Sequence, residues 1–171
     1  MKTLTLLRHA KSSWSDTSLA DHERPLNRRG ERDVPAMAVR IQDAGVRPSL
    51  IISSPAVRTW ATAKTVARQI SYPIEFLQRE AELYLANLNS LLDIVAEQDV
   101  SFNSIMIVGH NPGLTEFANF LHPGLTRNLP TCGVVSFSID AADWNLRREH
   151  ELELAYYDYP KRQRTPSTQP H

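Results

Sequence analysis

Two apolar segments of the chain each run directly into a histidine. Residues 4–7, Leu-Thr-Leu-Leu, precede Arg8 and His9, and residues 105–108, Ile-Met-Ile-Val, precede Gly109 and His110. Such segments are typical of buried strands, and parallel strands place their carboxyl ends at one edge of a sheet, where α/β proteins bind ligands. The spacing therefore predicts that two imidazoles, far apart in sequence, meet in a catalytic site.

Arg58 is the next residue whose type and position indicate chemistry. It follows a third apolar segment, residues 50–53, and lies in the first turn of a helix that Ser54 and Pro55 are expected to begin. A cation there opposes the helix dipole, whereas an anion bound at the helix N-terminus would reverse that sign. Arg58 therefore suits a bound phosphate better than a structural role.

Two further arginines could bind the oxygens of an anion. Arg8 is held at the end of the first predicted strand, and Arg24 lies in the segment Glu-Arg-Pro-Leu at residues 23–26. A guanidinium presents its N–H groups as a fork that matches phosphate geometry. Arg24 could instead pair with Glu23 or Asp21 on the surface.

The elements that must position these residues alternate between strand and helix patterns, which is typical of an α/β protein. We expect a three-layer αβα sandwich around a mostly parallel central sheet. The last two strands alternate like half-exposed strands and should form a terminal antiparallel pair. The predicted strands are residues 4–7, 50–53, 74–77 at the sheet edge, 105–108, 134–139 and 151–157.

Four helices are predicted between these strands. The first, residues 28–44, has an apolar stripe that contains Pro35, which should kink or restart the helix, and Gly45 is suited to end it. Asn111 and Pro112 are expected to cap the helix after the strand at 105–108. The other two helices are predicted to begin at Ser54 and to span residues 90–98.

The composition limits the classes of protein. The chain has 171 residues, 42% of them apolar, with 19 basic and 19 acidic side chains. This predicts one soluble domain at residues 1–159, followed by a flexible tail at 160–171. The balanced charge argues against a nucleic-acid partner, and no apolar run approaches the roughly 20 residues that span a bilayer. The expected location is the cytoplasm, because the N-terminus lacks a signal-peptide pattern.

Cysteine and metal chemistry are not expected. Cys132 is the single cysteine, so an internal disulfide is excluded. A cysteine phosphatase needs arginine six residues after its cysteine, and Ser138 stands there. The remaining histidines do not have metal-ligand spacing, so we predict neither a metal nor another cofactor. These histidines are His22, His122, His150 and His171.

Three blocks of the sequence together resemble the histidine phosphatase superfamily. They are residues 7–10 (Leu-Arg-His-Ala), residues 53–58 (Ser-Ser-Pro-Ala-Val-Arg) followed by Thr62, and residues 108–113 (Val-Gly-His-Asn-Pro-Gly). Within that superfamily, residues 8–14, residues 24–27 with Gly30, and residues 82–84 are similar to the small SixA-type phosphohistidine phosphatases. The resemblance covers about the first 155 residues and implies a phosphoglycerate mutase-like fold.

The resemblance also implies roles for single residues. His9 would be the nucleophile, attacking phosphorus and carrying the phosphoryl group until water removes it. Arg8, Arg58 and His110 would stabilise the phosphoryl oxygens, and Arg24, Gly109 and Asn111 would help to bind substrate. One departure is Ala10, where the superfamily usually has glycine. Alanine adds only a methyl group, so we expect this departure to have little effect.

The general acid and the substrate are linked questions. Glu82, Asp16 and Asp21 are candidates for the acid, with Glu23 in the same loop, and none aligns clearly with the position used by larger relatives. An alkoxide leaving group needs a proton donor, whereas an imidazole departs easily once it is protonated. A missing acid therefore favours phosphohistidine as substrate. Short connections that leave little room for a lid favour a protein side chain.

The expected function is metal-independent hydrolysis of protein phosphohistidine through a covalent intermediate on His9. The expected partner is a phosphohistidine-containing protein. Two alternatives stay open at this point. One is a small-molecule phosphomonoesterase of the same superfamily, and the other is a catalytically silent module that binds phosphohistidine.

Overall fold

A central sheet carries the residues singled out above. The computed structural model describes residues 1–162. Over that range the chain forms six strands and four α-helices, and each of these helices has at least eight residues. In chain order they are β1 (Lys2–Arg8), α1 (Arg28–Asp43), β2 (Leu50–Ser53), α2 (Val57–Gln69), β3 (Gln78–Arg79), α3 (Leu88–Ala96), β4 (Ser104–Gly109), α4 (Gly113–Leu121), β5 (Val134–Ile139) and β6 (Leu152–Asp158).

The strand order is β3-β2-β4-β1-β5-β6. The first four strands of that order run parallel, and β5 pairs antiparallel with both β1 and β6, so the predicted terminal antiparallel pair is confirmed. In the β1–β4 pair, Leu7 lies opposite Val108 and Arg8 lies opposite Gly109. His9 and His110 therefore leave two neighbouring strands at the same level.

Helices cover both faces of the sheet. On one face, α1 and α2 pack on Leu7, Ile51 and Met106. On the other face, α3 and α4 pack on Leu6 and Ile107. Because successive strand residues point to opposite faces, one apolar run such as β1 supplies both cores. This confirms the predicted three-layer αβα sandwich.

The predicted edge strand was wrong in position. Residues 74–77 were expected to be an edge strand, but Ile74–Phe76 is a 3-10 turn and the edge strand begins at Gln78. Pro73 sets up the turn, because its carbonyl accepts a hydrogen bond from the Phe76 N–H at 3.0 Å. Apolar residues alone do not distinguish such a turn from a short strand.

Pro35 does not interrupt α1, which runs from Arg28 to Asp43. Pro35 itself is exposed, whereas Val34, Met37 and Ile41 are buried against the sheet. The hydrogen bond that proline removes is therefore lost on the solvent side, while the buried side chains hold the helix together. Gly45, with a φ of 78°, follows the end of the helix as predicted.

The helix starts differ from the sequence prediction. Ser54 does not cap α2, which begins at Val57 after Ala56. Asn111 does help to cap α4, because its Oδ1 accepts from the Thr115 N–H at 3.2 Å. The third helix begins at Leu88, two residues before the predicted start, and its cap is Asn87.

The predicted flexible tail, 160–171, falls mostly outside the described residues. Its described part, 160–162, follows β6 and is contacted by Arg40, whose Nη2 lies 3.5 Å from the Pro160 carbonyl oxygen. Within residues 1–162, no helix combines the length and apolar character needed to cross a bilayer.

Candidate active site

The two strand-end histidines meet as the sequence predicts. The ring centroids of His9 and His110 are 5.3 Å apart, and the rings are inclined at 55°. Both residues are buried, with 7% and 4% of their surface exposed. The backbone also joins the two strand ends, because the His9 N–H donates to the Gly109 carbonyl at 3.1 Å.

Hydrogen bonds determine the tautomer of His9. Its Nδ1 lies 2.7 Å from the Ala10 carbonyl oxygen. A carbonyl only accepts hydrogen bonds, so Nδ1 carries the proton and Nε2 keeps its lone pair. The Nε–H of Arg58 points to that Nε2 at 3.4 Å. His9 is thus oriented with a free nitrogen lone pair facing the cationic part of the site.

His110 has the opposite tautomer. Its Nδ1 faces Nη2 of Arg58 at 3.4 Å, and an arginine only donates, so Nδ1 is an acceptor. Nε2 then carries the proton and donates to Ser54 Oγ at 2.7 Å. Oγ1 of Thr59 lies 3.4 Å from the same nitrogen.

Burial and the neighbouring cations keep both rings neutral. Desolvation lowers the pKa of His9 to about 3, with further lowering by the charges of Arg58 and Arg8. Desolvation and the charge of Arg58 likewise lower the pKa of His110 to about 4. A neutral imidazole has a lone pair available to attack an electrophile, so near neutral pH His9 has the protonation state that a nucleophile needs.

Arg58 lies at the centre of the site. It is 4% exposed, in the first turn of α2 as the sequence predicts. Besides the two imidazoles, it contacts Asp21 twice, because Nη1 donates to the carbonyl at 2.7 Å and Nη2 to the carboxylate at 3.0 Å. Helix α2 is tied to the first histidine by Thr62, whose Oγ1 accepts from the Ala10 N–H and donates to the Arg58 carbonyl.

Arg8 and Arg24 each have a buried donor without a partner. Arg8 Nη1 donates to the Leu129 carbonyl at 2.9 Å, and Arg24 Nη2 donates to Ser12 Oγ. Among the described residues, however, the Nε atoms of both arginines are buried and make no hydrogen bond. An unpartnered buried donor is costly, and an anion bound here would satisfy it.

Asp21 and Tyr84 lie at the edge of the site and are joined by a hydrogen bond; we call this pair the rim. The Asp21 carboxylate accepts from Arg58, from Arg24 at 3.4 Å and from the Tyr84 hydroxyl. The Tyr84 hydrogen bond and the two arginines lower the pKa of Asp21. The Tyr84 ring also stands edge-on to His110, with centroids 5.3 Å apart. Trp14 lies under Arg24, with the guanidinium carbon 3.3 Å from its ring centroid.

The structure places the other predicted residues less directly. Gly109 ends β4 and offers its carbonyl to His9. Both amide hydrogens of Asn111 are donated, one to Asn128 and one to Leu129, and its oxygen accepts from Thr115. Asn111 thus braces the loop beside the site, and substrate contact would require it to exchange one of these bonds.

The candidate general acids differ in whether they contact the cluster of histidines and arginines. Asp21 is in the cluster and is held ionised. Asp16 accepts two hydrogen bonds from Ser18, which lower its pKa, and no described contact joins it to the histidines. Glu23 accepts from the Ala20 N–H, and Glu82 is exposed in the 3-10 turn at 81–83. Among residues 1–162, the carboxylate that contacts the cluster is therefore an ion rather than a proton donor.

Sequence reasoning missed three supporting residues: Ser54, Thr59 and Tyr84. Ser54 was interpreted as a helix cap, although a serine between a strand end and an arginine could equally have faced a neighbouring strand end. Tyr84 belongs to the SixA-like segment 82–84, in which the carboxylate of Glu82 is the more obvious candidate for chemistry. The pairing of β2 with β4 brings Ser54 and Thr59, which follow β2, next to His110, which follows β4.

Ser54→Ala is expected to slow turnover by roughly 3- to 30-fold, the loss associated with one buried hydrogen bond. Without the Ser54 hydroxyl, His110 loses the 2.7 Å bond that fixes its tautomer. The matched control is Ser53→Ala, which removes a buried hydroxyl that donates to the Ser54 carbonyl at 2.9 Å and touches no imidazole. Steady-state kinetics should show a fall in kcat for Ser54→Ala alone, and equal effects in both variants would contradict the assignment.

The cluster is separate from a cavity on the other side of the molecule. A cavity of about 710 Å³ lies at the opposite end of the sheet, by the first residue of β2, and its walls include Tyr72, Phe76 and Phe102. None of its lining residues belongs to the cluster. Within the described chain, no three histidine, cysteine or acidic side chains are grouped as a metal site.

Comparison with known proteins agrees with this geometry. The sequence model of the histidine phosphatase superfamily, branch 1, matches residues 4–110. An uncharacterized chloroplastic protein of Arabidopsis thaliana is 35% identical over 156 residues, which cover 84% of this chain and 69% of that protein.

Two solved structures extend the comparison to the whole fold. One, assigned as the phosphohistidine phosphatase SixA of Agrobacterium tumefaciens, is 27% identical, covers 93% of this chain and 98% of its own, and has a TM-score of 0.78. The protein histidine phosphatase SixA complexed with tungstate is 19% identical, with 92% and 97% coverage and a TM-score of 0.72, and it supports the fold alone. The chain therefore belongs to the histidine phosphatase superfamily and is a SixA-like phosphatase.

Proposed function

We propose that this protein hydrolyses phosphohistidine on a protein substrate, without a metal ion, through a phosphoryl group carried by His9. The observation that carries the proposal is the state of the two imidazoles and their neighbours. A neutral His9 presents a free Nε2 to a cluster of cations, and the carboxylate that contacts this cluster is ionised. The site can thus supply a nucleophile and charge stabilisation, but Asp21 is a poor acid.

In the first step, the lone pair on His9 Nε2 attacks phosphorus. The bond from phosphorus to the substrate imidazole breaks, and that imidazole leaves with a proton supplied by its own protonated ring or by water. The 2.7 Å bond from Nδ1–H to the Ala10 carbonyl stabilises the positive charge that develops on His9. It also holds the ring in the orientation needed for attack.

Charge on the transferring group is stabilised by this chain's own cations. Arg58 reaches both imidazoles at 3.4 Å, which is long for a hydrogen bond, so phosphoryl oxygens can replace these contacts. The unpartnered Nε–H of Arg8 is a further donor. Phosphoryl transfer has a loose transition state with charge on three oxygens, and such donors supply most of its stabilisation. Arg24 is proposed to assist from the rim.

In the second step, water attacks the phosphorus held on His9. The Nε2–P bond breaks, Nε2 recovers its lone pair, and the proton of the water passes to the released phosphate or to solvent. His110 donates to the phosphoryl oxygens once its bond to Ser54 yields to the charged ligand. Neither leaving nitrogen needs a carboxylic acid of the protein, because an imidazole that already carries a proton on its other ring nitrogen leaves as a neutral ring.

The variant Asp21→Asn distinguishes two roles for Asp21, a charge partner of Arg58 and a general acid. If Asp21 only neutralises Arg58, the variant frees that guanidinium, and we expect KM for a phosphohistidyl peptide to fall several-fold with kcat within about twofold of wild type. The measurement is a kcat and KM pair with a phosphohistidyl peptide and with an aryl phosphate. A large fall in kcat confined to the aryl ester would instead make Asp21 the acid for alkoxide leaving groups.

The proposal is tested by phosphate release from three substrates at equal concentration in chelator-treated buffer. They are a phosphohistidyl peptide, the same peptide carrying phosphoserine, and an aryl phosphate. We expect the highest kcat/KM for the phosphohistidyl peptide, with no change on adding a divalent metal. Faster hydrolysis of either ester would favour a small-molecule phosphomonoesterase, and binding without turnover would favour a silent phosphohistidine-binding module.

A further inference from the structure

A second cavity, with walls of basic residues, adjoins the proposed phosphoryl site. Its volume is about 410 Å³, and we call it the basic cavity. Four cations line it, and Asn128 and Tyr159 are among its other residues. The cations are Arg8, Lys11, Arg29 and Lys161.

These four cations come from separate parts of the fold. Arg8 ends β1, Lys11 lies in the loop that follows it, Arg29 is in the first turn of α1, and Lys161 follows β6. No acidic side chain is among the described residues that line the cavity. Arg29 has one acidic neighbour outside the lining, Asp33, at 3.6 Å on the same helix, and such a partly exposed pair offsets little of its charge.

Arg8 belongs to both sites. Arg8 directly precedes His9 and lies opposite Gly109 in the β1–β4 pair, and its charge helps to lower the pKa of His9. The same side chain forms part of the cavity wall, and its buried Nε–H lacks a partner. When the phosphoryl group of a substrate is bound at His9, the substrate atoms next to it would therefore lie at the mouth of the basic cavity.

The size and surface of the cavity suit a peptide side chain. A volume of about 410 Å³ lies within the range of small-ligand pockets, roughly 300–1,000 Å³, and exceeds what one carboxylate fills. The lining also includes Pro130, Tyr159 and Pro160, whose rings add apolar surface to the cations. An aspartate or glutamate with its flanking backbone matches this mixture of charge and apolar surface.

We propose that the basic cavity receives an acidic side chain that flanks the phosphohistidine of the protein substrate. The inference rests on the proposed function and names the sequence context that the site selects. An extended peptide advances about 3.3 Å per residue, so an acidic residue within roughly one to three positions of the phosphohistidine can reach a cavity that begins at Arg8. The expected substrate is a phosphohistidyl segment rich in aspartate or glutamate.

The first test compares two phosphohistidyl peptides, one with glutamates flanking the phosphohistidine and one with glutamines. In the double variant Lys11→Gln/Lys161→Gln, kcat/KM for the acidic peptide should fall about five- to tenfold, while that for the neutral peptide stays unchanged. Both lysines are exposed, so the variant should fold normally. The control is Arg68→Gln, an exposed cation at the far end of α2, which should affect neither peptide.

Reversing the charge of one lysine distinguishes a change of substrate preference from a general loss of activity. Lys161→Glu should lower kcat/KM for the acidic peptide and raise it for a peptide with flanking lysines. Equal effects on all peptides would overturn the inference while leaving the proposed function intact.

Binding tests the inference even if turnover fails. Fluorescence anisotropy with a stable phosphotriazole analogue in the same acidic and neutral peptides should show tighter binding of the acidic one at low salt. That preference should be lost in the double lysine variant. Equal affinity for both peptides would overturn the inference, whereas absence of hydrolysis of every phosphohistidyl peptide would overturn the proposed function.

Discussion

Replacing His9 by alanine should lower kcat by on the order of 10⁴-fold or more and remove the covalent phosphoenzyme, while the folded structure is retained. The nucleophile is the one group in the proposed mechanism that no other side chain replaces. His110 cannot substitute for it, because its Nδ1 faces Arg58 and its Nε2 carries a proton directed at Ser54.

Anion binding should survive this substitution. Arg58, Arg8 and His110 keep their positions through bonds that do not involve the His9 ring, such as Arg58 to Asp21 at 3.0 Å and His110 to Ser54 at 2.7 Å. Inorganic phosphate should therefore bind the alanine variant with a Kd within about tenfold of that of wild type, measured by calorimetry or by protection against thermal unfolding. The alanine variant would then separate binding from chemistry.

The measurement is a rapid acid-free quench with radiolabelled phosphohistidyl peptide, followed by peptide mapping. We expect label on the peptide that contains His9 in wild type and none in His9→Ala. The matched control is His22→Ala, which removes an exposed imidazole whose ring centroid lies 6.3 Å from that of Tyr84. This variant should still be labelled on the peptide that contains His9 and should hydrolyse the substrate at the wild-type rate. Appreciable turnover by His9→Ala would exclude the proposed nucleophile.

The fold and the centre of the site could be predicted because they depend on local patterns. Residues 50–53 and 134–139 were predicted with the bounds that β2 and β5 have. Each is a continuous apolar or alternating run bounded by turn residues, which is the strongest strand signal in a sequence. Once β1 and β4 were predicted to be buried parallel strands, the meeting of His9 and His110 followed from strand direction alone.

The contacts that surround the two histidines could not be predicted in this way. Asp21 is 37 residues from Arg58 in sequence and 63 from Tyr84, yet both contact its carboxylate. No periodicity connects a loop aspartate to a helix arginine, so the sequence offered Asp21 as an acid or as a partner of Arg24, but not as a partner of Arg58. Its lowered pKa depends on those distant partners, and only the folded arrangement reveals that it is held as an ion.

Pro35 illustrates a related limit. The rule that proline breaks a helix is a statement about one lost hydrogen bond and one steric contact. In α1 the buried stripe of Val34, Met37 and Ile41 outweighs that loss, and this depends on a sheet formed largely by later residues. Local rules were therefore reliable where burial and propensity agreed, and failed where tertiary packing overrode propensity.

Arg58→Gln should lower kcat/KM by about 10³-fold with little loss of stability. The loss of activity follows from position, because this guanidinium contacts His9, His110 and the Asp21 rim at once. Stability should be nearly unchanged, because Arg58 is itself a source of repulsion. Its charge contributes to the lowered pKa of both Arg8 and Arg24, after desolvation.

The free energy of unfolding should accordingly change by less than about 1 kcal/mol, since the lost ion pair involves a carboxylate that is 42% exposed. Asp21 is left in contact with water rather than buried without a partner. The arginines repel one another and so lower the stability of the fold, while their charge stabilises the phosphoryl group during the reaction. Denaturant unfolding of wild type and variant measures this directly.

Arg58→Lys separates charge from geometry. Lysine keeps the positive charge but cannot present a fork to two imidazoles and two oxygens, so we expect about a 10²-fold loss in kcat/KM rather than recovery. The control is Arg68→Gln, which removes an exposed arginine from the same helix and should leave activity within about twofold of wild type. Full activity in Arg58→Lys would show that a single charge suffices. A large fall in stability of Arg58→Gln would instead give Arg58 a structural role, because a residue held for catalysis should be dispensable for folding.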